Sequence, residues 1–429
     1  MAISYMRALY SLLFYLLLPV VLLRVLWRAR HNRAHLARLR ERFGYAAPIT
    51  GKRTRIWVHT VSVGEFLGAL PLIRQLIARQ ETEVIVTCTT LTGSERIVQT
   101  LGSKVHHFYM PYDLPGALRR FIKIVEPDLL IIMETELWPN TLAACKAHGV
   151  PTVLINARLS ERSARGYRRI GGLTRAMLSR LSAAAVQHRA DAERFVALGL
   201  ADTRLSVTGN IKFDIDIDDE QKQLAVRLKN EWSSSGPRLV WIAASTHSGE
   251  DDIVLQALQQ LREQGVTAEQ LLLVLIPRHP ERFDSVASLC QKAGFSVTRR
   301  SSGEAPALST DILLGDTMGE QQLMFGAADM VFMGGSLVDV GGHNFIEAAA
   351  WGQPLMSGPT LYNFAEVSRL LREAEALEIV HDATEMAQAV KRFIDDESLR
   401  SLAGARAQEV AEENRGALAR TREVIEKLL

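Results

Sequence analysis

The chain has 429 residues, 47% of them hydrophobic and 23% charged, with a formal net charge of +2. This composition excludes an intrinsically disordered chain, a collagen-like rod and a multi-span transporter, and the length fits two or three domains. A near-zero net charge gives no bulk field for nucleic acid, and Cys88, Cys145 and Cys290, far apart and with no C-x-x-C pair, exclude a disulfide scaffold or a zinc ribbon.

Residues 8–23 carry no charge, and Arg24 interrupts the run before Trp27. A spanning helix needs about 20 apolar residues; a snorkelling Arg24 extends the usable length, and Pro19 is tolerable in lipid. Arg24, Arg28, Arg30, Arg33, Arg38, Arg40 and Arg42 follow, opposed by Glu41 alone. By the positive-inside rule this places the bulk of the chain in the cytoplasm. A cleaved signal peptide fits less well, because no small-residue cleavage site is present and the positive charge follows the apolar run. The alternative is a helix packed on its own domain; whether an anchor spans the bilayer or lies in the interface is open at this level.

From residue 50 strands and helices alternate. Apolar, β-branched runs at 56–63, 83–90, 128–133, 151–156, 183–188 and 205–210 alternate with stretches of helical periodicity. Residues 128–133 are apolar throughout, as in a strand buried on both faces. Residues 214–236, acidic and then ending in SSSGP, read as a connection. A second alternating set follows at 238–246, 271–277, 295–300, 311–316, 329–335 and 353–358, and the last thirty-odd residues are helical. The expected architecture is α/β: two doubly wound, Rossmann-like domains of parallel sheet facing a cleft, with ligands at the carboxyl ends of the strands. The expected divisions are 1–44 (anchor and basic segment), 45–213 (first domain), 214–236 (linker) and 237–429 (second domain with C-terminal helices).

The chemistry-bearing residues cluster where those strands end. Ser62-Val63-Gly64-Glu65 has the S-x-x-E spacing of a capping box; the same Glu65, beside Gly64, is a candidate general base. Glu134 and Glu136 directly follow a buried strand. They fit the first turn of a helix, favoured by its dipole, or a carboxylate pair, but no suitably spaced histidine accompanies them as a metal ligand. Lys212 lies just past the last strand of the first half, where a lone lysine is usually a solvated surface residue. Arg278, after Pro277, can fork onto a phosphate, and Met318-Gly319-Glu320 forms a turn at another strand end. GGSLVDVGGHNFIEA (334–348) follows a strand and opens a helix near Asn344. Free N–H groups there would make an anion site, with Glu347 one turn in. It is neither G-x-G-x-x-G nor a Walker loop. The seven arginines of 158–180, against a single Glu161, read as a solvated face or a surface for lipid phosphates.

Taken together, HTVSVGE, PYDLP, METELWPN, NARLSERS, TGNIKFD, PRHPER, GDTMGE and GGHNFIEAA resemble, in order and over nearly the whole chain, the Kdo transferases of Gram-negative bacteria. These are the family-30 glycosyltransferases that attach 3-deoxy-D-manno-octulosonic acid (Kdo) to the lipid A precursor. The resemblance implies a GT-B fold, a CMP-Kdo donor, an inverting reaction without metal or other cofactor, and attachment to the cytoplasmic face of the inner membrane by a single N-terminal anchor. It implies Glu65 as general base and Glu134 and Lys212 as transition-state stabilisers. It implies Pro277, Arg278, Met318, Gly319, Glu320, Asn344, Phe345, Ile346 and Glu347 as the CMP-binding segments. Phe345-Ile346 stands where some members carry Pro-Leu, a departure that touches local packing. Another GT-B enzyme using a UDP-sugar, or a membrane-anchored nucleotide-binding module without catalysis, are the competing readings.

Overall fold

In β4 (Leu129–Met133) alternate side chains enter opposite layers. Leu130 and Ile132 join Trp57, Ile85, Phe121 and Leu154, while Leu129, Ile131 and Met133 join Val58, Phe66, Val84 and Ile155. A strand covered on both faces by helices has no polar side, which is why its sequence does not alternate.

The computed structural model describes residues 2–30, 36, 38–233 and 236–429. Arg33, Ser234 and Ser235, which enter the sequence expectations, lie outside the described residues. Two units emerge. The first comprises Met1–Asp214 and Arg415–Leu429, the second Ile215–Asn414.

The first unit holds β1 (Thr54–His59), β2 (Thr82–Cys88), β3 (His106–Tyr109), β4, β5 (Thr152–Ala157), β6 (Ala183–Val186) and β7 (Leu205–Val207). They form one parallel sheet in the order β3-β2-β1-β4-β5-β6-β7. The second unit holds β8 (Leu239–Thr246), β9 (Leu271–Pro277), β10 (Val297–Arg299), β11 (Ile312–Leu314), β12 (Met330–Met333), β13 (Leu355–Ser357) and β14 (Leu377–Ile379). Its parallel order is β10-β11-β9-β8-β12-β13-β14. Both are doubly wound sheets, and the winding reverses between β1 and β4 in one and between β8 and β12 in the other. Crevices at such reversals are where α/β sheets take ligands.

The boundaries differ from the sequence expectation in three places. The last helix, Ala417–Glu426, belongs to the first unit: Ala417, Val424 and Ile425 enter the layer of Phe66 and Val58. Asp214 accepts from the N–H groups of Gly416 and Leu418, and Arg79 pairs with Glu426 at 2.6 Å. A helical pattern shows a buried face without showing which core it covers. The expected linker holds a helix, Asp219–Ser233, of the second unit; Ala225, Leu228 and Trp232 bury a narrow stripe of an otherwise polar helix, and Lys229 pairs with Asp329. Finally, the basic segment before residue 44 is partly internal. Arg38 pairs with Glu41 at 2.7 Å and donates to the His107 carbonyl, and Arg38 and Arg42 both lie over the Tyr109 ring.

Candidate active site

At the reversal of the first sheet, β1 runs into the helix Val63–Ile77. Ser62 caps it, its hydroxyl accepting from the Glu65 N–H at 3.5 Å, and Glu65 Oε2 reaches back to accept from the Val61 N–H at 2.7 Å. The capping-box spacing is therefore realised. It engages one carboxylate oxygen; Oε1 has no hydrogen bond among the described residues. The half-buried carboxyl is pushed up to about 7, chiefly by desolvation. The Val61 N–H opposes the rise, the charges of Glu134 and Glu136 add to it, and Lys212 opposes it.

Across the reversal, Glu134 is the first residue past β4 and has φ 56°, a left-handed conformation that costs a non-glycine residue roughly 1–3 kcal/mol. Its N–H still donates to the Ile155 carbonyl at 2.9 Å, so the strand is held while the side chain turns out of the ladder. That side chain meets Lys212 Nζ at 3.1 Å and Arg158 Nε at 3.5 Å. The helix begins at Pro139, so neither Glu134 nor Glu136 sits in a helical first turn, and the dipole account of them is corrected. Glu136 accepts from the Trp138 indole N–H at 2.8 Å, and burial raises its pKa.

Lys212 is placed by two asparagines. Asn156 Oδ1 accepts from the Ile211 N–H at 3.1 Å, and Asn210 Oδ1 from the Lys212 N–H at 3.0 Å. Its stem lies over Gly68, one turn beyond Glu65: a Cβ there would stand 3.4 Å from Lys212 Cε and 3.1 Å from Met133 Cε. Lys212 is thus a paired residue rather than a solvated one. Arg158, which the sequence places only in a basic run, is its fellow cation on Glu134; the NARLSERS motif carried that signal.

In the second unit, β8 and β9 end side by side, and the Arg278 N–H donates to the Thr246 carbonyl at 3.0 Å. Pro277 is buried and the Arg278 side chain is exposed, with no carboxylate at ion-pair distance among the described residues. Arg282, by contrast, is committed to the fold: it pairs with buried Asp251 and donates to the Thr246 carbonyl at 2.8 Å. Three histidines gather here without having been singled out by the sequence. The rings of His247 and His343 lie 6° from parallel with their Nε2 atoms 2.9 Å apart, and His279 meets His247 edge-on at 5.3 Å. Burial foremost, then Arg278 and the neighbouring rings, hold His343 down to about 4. Gly335, at φ 69°, makes the room: a Cβ there would come within 2.9 Å of the His343 ring.

The glycine-rich segment departs from expectation. The N–H groups of Gly335, Ser336 and Leu337 all donate to Glu250, at 2.7, 3.0 and 2.9 Å. Fully buried Glu250 therefore takes these three N–H groups of the segment read as an anion site, leaving the helix start near Asn344 outside its reach, and its own first turn is anchored by the His247 N–H at 2.9 Å. Such occupancy cannot be read from a loop alone, since the carboxylate comes from another strand end. Beyond the nest, Asn344 Nδ2 donates to Glu347 Oε1 at 3.2 Å, and burial raises the Glu347 pKa. Phe345 and Ile346 face the core, Phe345 edge-on to Phe364, so both side chains are committed to packing. Glu320 pairs with Arg300 at 3.2 Å and accepts from Thr317 at 2.5 Å, contacts that outweigh its burial and lower its pKa. Met318 is exposed and Gly319 has φ 88°. Ser245, hydrogen-bonded to Gln321 at 3.2 Å, ties that turn to the end of β8.

Residues 37–215 match the family model described as 3-deoxy-D-manno-octulosonic-acid transferase (kdotransferase). A 3-deoxy-D-manno-octulosonic acid transferase of Haemophilus influenzae is 41% identical over 396 residues, 91% of each chain. The chain belongs to the Kdo transferase family. The Kdo transferase of Bordetella pertussis is 38% identical over 320 residues, 73% of each chain. Family membership makes the protein a glycosyltransferase and gives the two strand-end clusters their context. Among solved structures, the UDP-GlcNAc 2-epimerase of Neisseria meningitidis superimposes with a TM-score of 0.57 at 13% identity, covering 87% of this chain and 100% of that one. That likeness shows the GT-B type of α/β fold expected of a Kdo transferase.

Proposed function

We propose that this Kdo transferase moves Kdo from CMP-Kdo to a hydroxyl of a lipid A precursor in lipopolysaccharide synthesis. The transfer inverts the anomeric centre and needs no metal, and it takes place on the cytoplasmic face of the inner membrane. The observation that carries the reading is the Glu65 carboxyl, held near 7 with one oxygen uncommitted, beside the Glu134–Lys212 pair. A carboxylate of that basicity suits proton removal at neutral pH.

In this reading Glu65 takes the acceptor hydroxyl proton as the acceptor oxygen forms its bond to the anomeric carbon. The bond from that carbon to the CMP phosphate breaks, and CMP leaves with the electron pair. Lys212, oriented by Glu134, Asn210 and Gly68, faces the developing negative charge or the sugar carboxylate. Arg278 takes the nucleotide phosphate, because the N–H groups of Gly335, Ser336 and Leu337 are held by Glu250; residues 318–320 and 344–347 contact the rest of CMP. Mass spectrometry of the product from purified protein, CMP-Kdo and lipid A precursor tests the whole. The expected result is the mass of one or more added Kdo units, unchanged by EDTA. A product from UDP-sugars only, or strict dependence on magnesium, would overturn it.

The two arginines of P-R-H-P-E-R should separate function from fold. Arg278→Ala is expected to keep thermal stability within about 0.5 kcal/mol and weaken CMP binding roughly tenfold, the worth of a charge-assisted hydrogen bond. Arg282→Ala strands buried Asp251 and should cost about 3 kcal/mol of stability. Calorimetric titration and melting of both variants check the pair.

The pH profile follows from the sign of the shift. A base must be deprotonated, so kcat/KM should rise about tenfold per pH unit up to about 7 and level above it. Glu134→Gln removes a negative neighbour that raises the Glu65 pKa, and the acid limb of its residual activity should move to lower pH.

A further inference from the structure

The N-terminal helix Ala2–Ala29 is long and apolar enough to cross a bilayer, yet its contacts do not suit a crossing. Along the described side chains the shielded positions include Tyr10, Phe14, Leu18, Val21, Val25 and Ala29. Their spacing of three and four residues marks one stripe along most of the helix. The helix rests on the first unit, against the helices Pro139–Ala147 and Gly171–Leu178. Polar groups pin its N-terminal half. Ser11 Oγ and Asn140 exchange hydrogen bonds at 3.0 and 3.1 Å, and the inward-facing Tyr10 hydroxyl lies beside Asp113. Asp113 is itself buried and bonded to the N–H groups of Asn140 and Thr141. At Gly172 a Cβ would come within 2.9 Å of Met6 Sδ.

A helix crossing toward a domain on one side would meet that domain only near its last turn. Here Tyr10 and Ser11, towards the far end, are fastened to polar groups of the first sheet unit, which cannot follow them into hydrocarbon. The opposite face is apolar and open: Leu9, Leu12, Leu16, Leu23 and Trp27 are each more than half exposed. On the same unit, the helix Glu161–Arg169 packs on Gly171–Leu178, which the N-terminal helix also contacts, and exposes Arg162, Arg165, Arg168 and Arg169, with Arg175 exposed on the second helix. An apolar helix face and an arginine-rich surface carried by one unit complement an anionic lipid leaflet.

We propose that this helix is monotopic: it lies flat in the cytoplasmic leaflet, its stripe on the first unit and its open face in the acyl boundary of anionic lipids. The inference deepens the membrane part of the proposed function and is independent of the transfer chemistry, so activity in detergent is a separate readout. Leu9→Cys, Leu16→Cys and Leu23→Cys, labelled one at a time in the full chain, test it; the native cysteines are buried and leave the label selective. Each labelled protein is bound to phosphatidylcholine vesicles containing a minority of phosphatidylglycerol and quenched by lipids carrying a nitroxide near the headgroup or near the bilayer centre. The expected result is stronger shallow quenching at all three sites, a common depth of roughly 5–10 Å. Partitioning should fall about fivefold for each of Arg165 and Arg169 changed to Gln. In a spanning helix, sites 9 and 23 would differ by about 21 Å along the normal, and maximal deep quenching at site 16 would overturn the proposal. So would absent lipid quenching together with self-association, which would assign the open face to a second copy of the chain.

Discussion

Glu65→Gln should abolish transfer almost completely while leaving the fold intact. The amide oxygen can still accept from the Val61 N–H, and Ser62 still caps the helix, so the local structure keeps both of its bonds. The proton acceptor is lost, and a loss of roughly 10²–10⁴-fold in kcat is the usual worth of that role. Stability should hold or rise. A carboxyl whose pKa is raised on folding stabilises the folded state fully only below its unfolded value, near 4.5, and loses that contribution as pH climbs through about 7. At neutral pH the uncharged amide avoids the penalty. Glu65→Ala would confuse the issue, since it also removes a cap worth about 1 kcal/mol. Kinetics with a melting curve on the glutamine variant decide the matter: near-normal turnover in a folded protein removes Glu65 as the base.

Lys212→Met should be the second most damaging change. The methionine keeps a stem to lie over Gly68 but carries no charge, leaving Glu134 with Arg158 alone. Losing one electrostatic stabiliser typically costs on the order of 10²–10³-fold in kcat. A second sign is available. Lys212 draws the Glu65 pKa down, so its removal should move the acid limb of the pH profile upward. CMP affinity should hardly change. A variant that loses affinity and keeps kcat would contradict the assignment, and partial recovery in Lys212→Arg would support charge at this position.

What the sequence disclosed followed from burial on two faces. Runs such as 128–133 and 271–277 have no polar side and stand out at once. The strands it did not disclose, β3 and β14, are both sheet edges. His106-His107 opens one and Glu378 sits in the other, as expected where only part of the strand is covered. Site residues were legible as motifs at strand ends, but their partnerships were not. Glu134 shares Lys212 and Arg158 because a left-handed residue turns it out of its ladder, and Glu250 occupies the glycine-rich nest from 85 to 87 positions away. The spacing of Ser62 and Glu65 fitted a cap, and the same carboxyl has an oxygen to spare, so the structural and catalytic readings do not compete.

The return of Arg415–Leu429 to the first unit inverts the order in which the protein is finished. Synthesis delivers residues 54–214 early, but their hydrophobic layer lacks Ala417, Val424 and Ile425 until the tail emerges. The second unit therefore completes its core before the first does, and a chain lacking residues 415–429 carries an open seam over β5, β6 and the helix Val63–Ile77. The helix that bears Glu65 also bears Phe66 and meets the helix Ala417–Glu426, so the proposed base and the returning segment share one piece of packing.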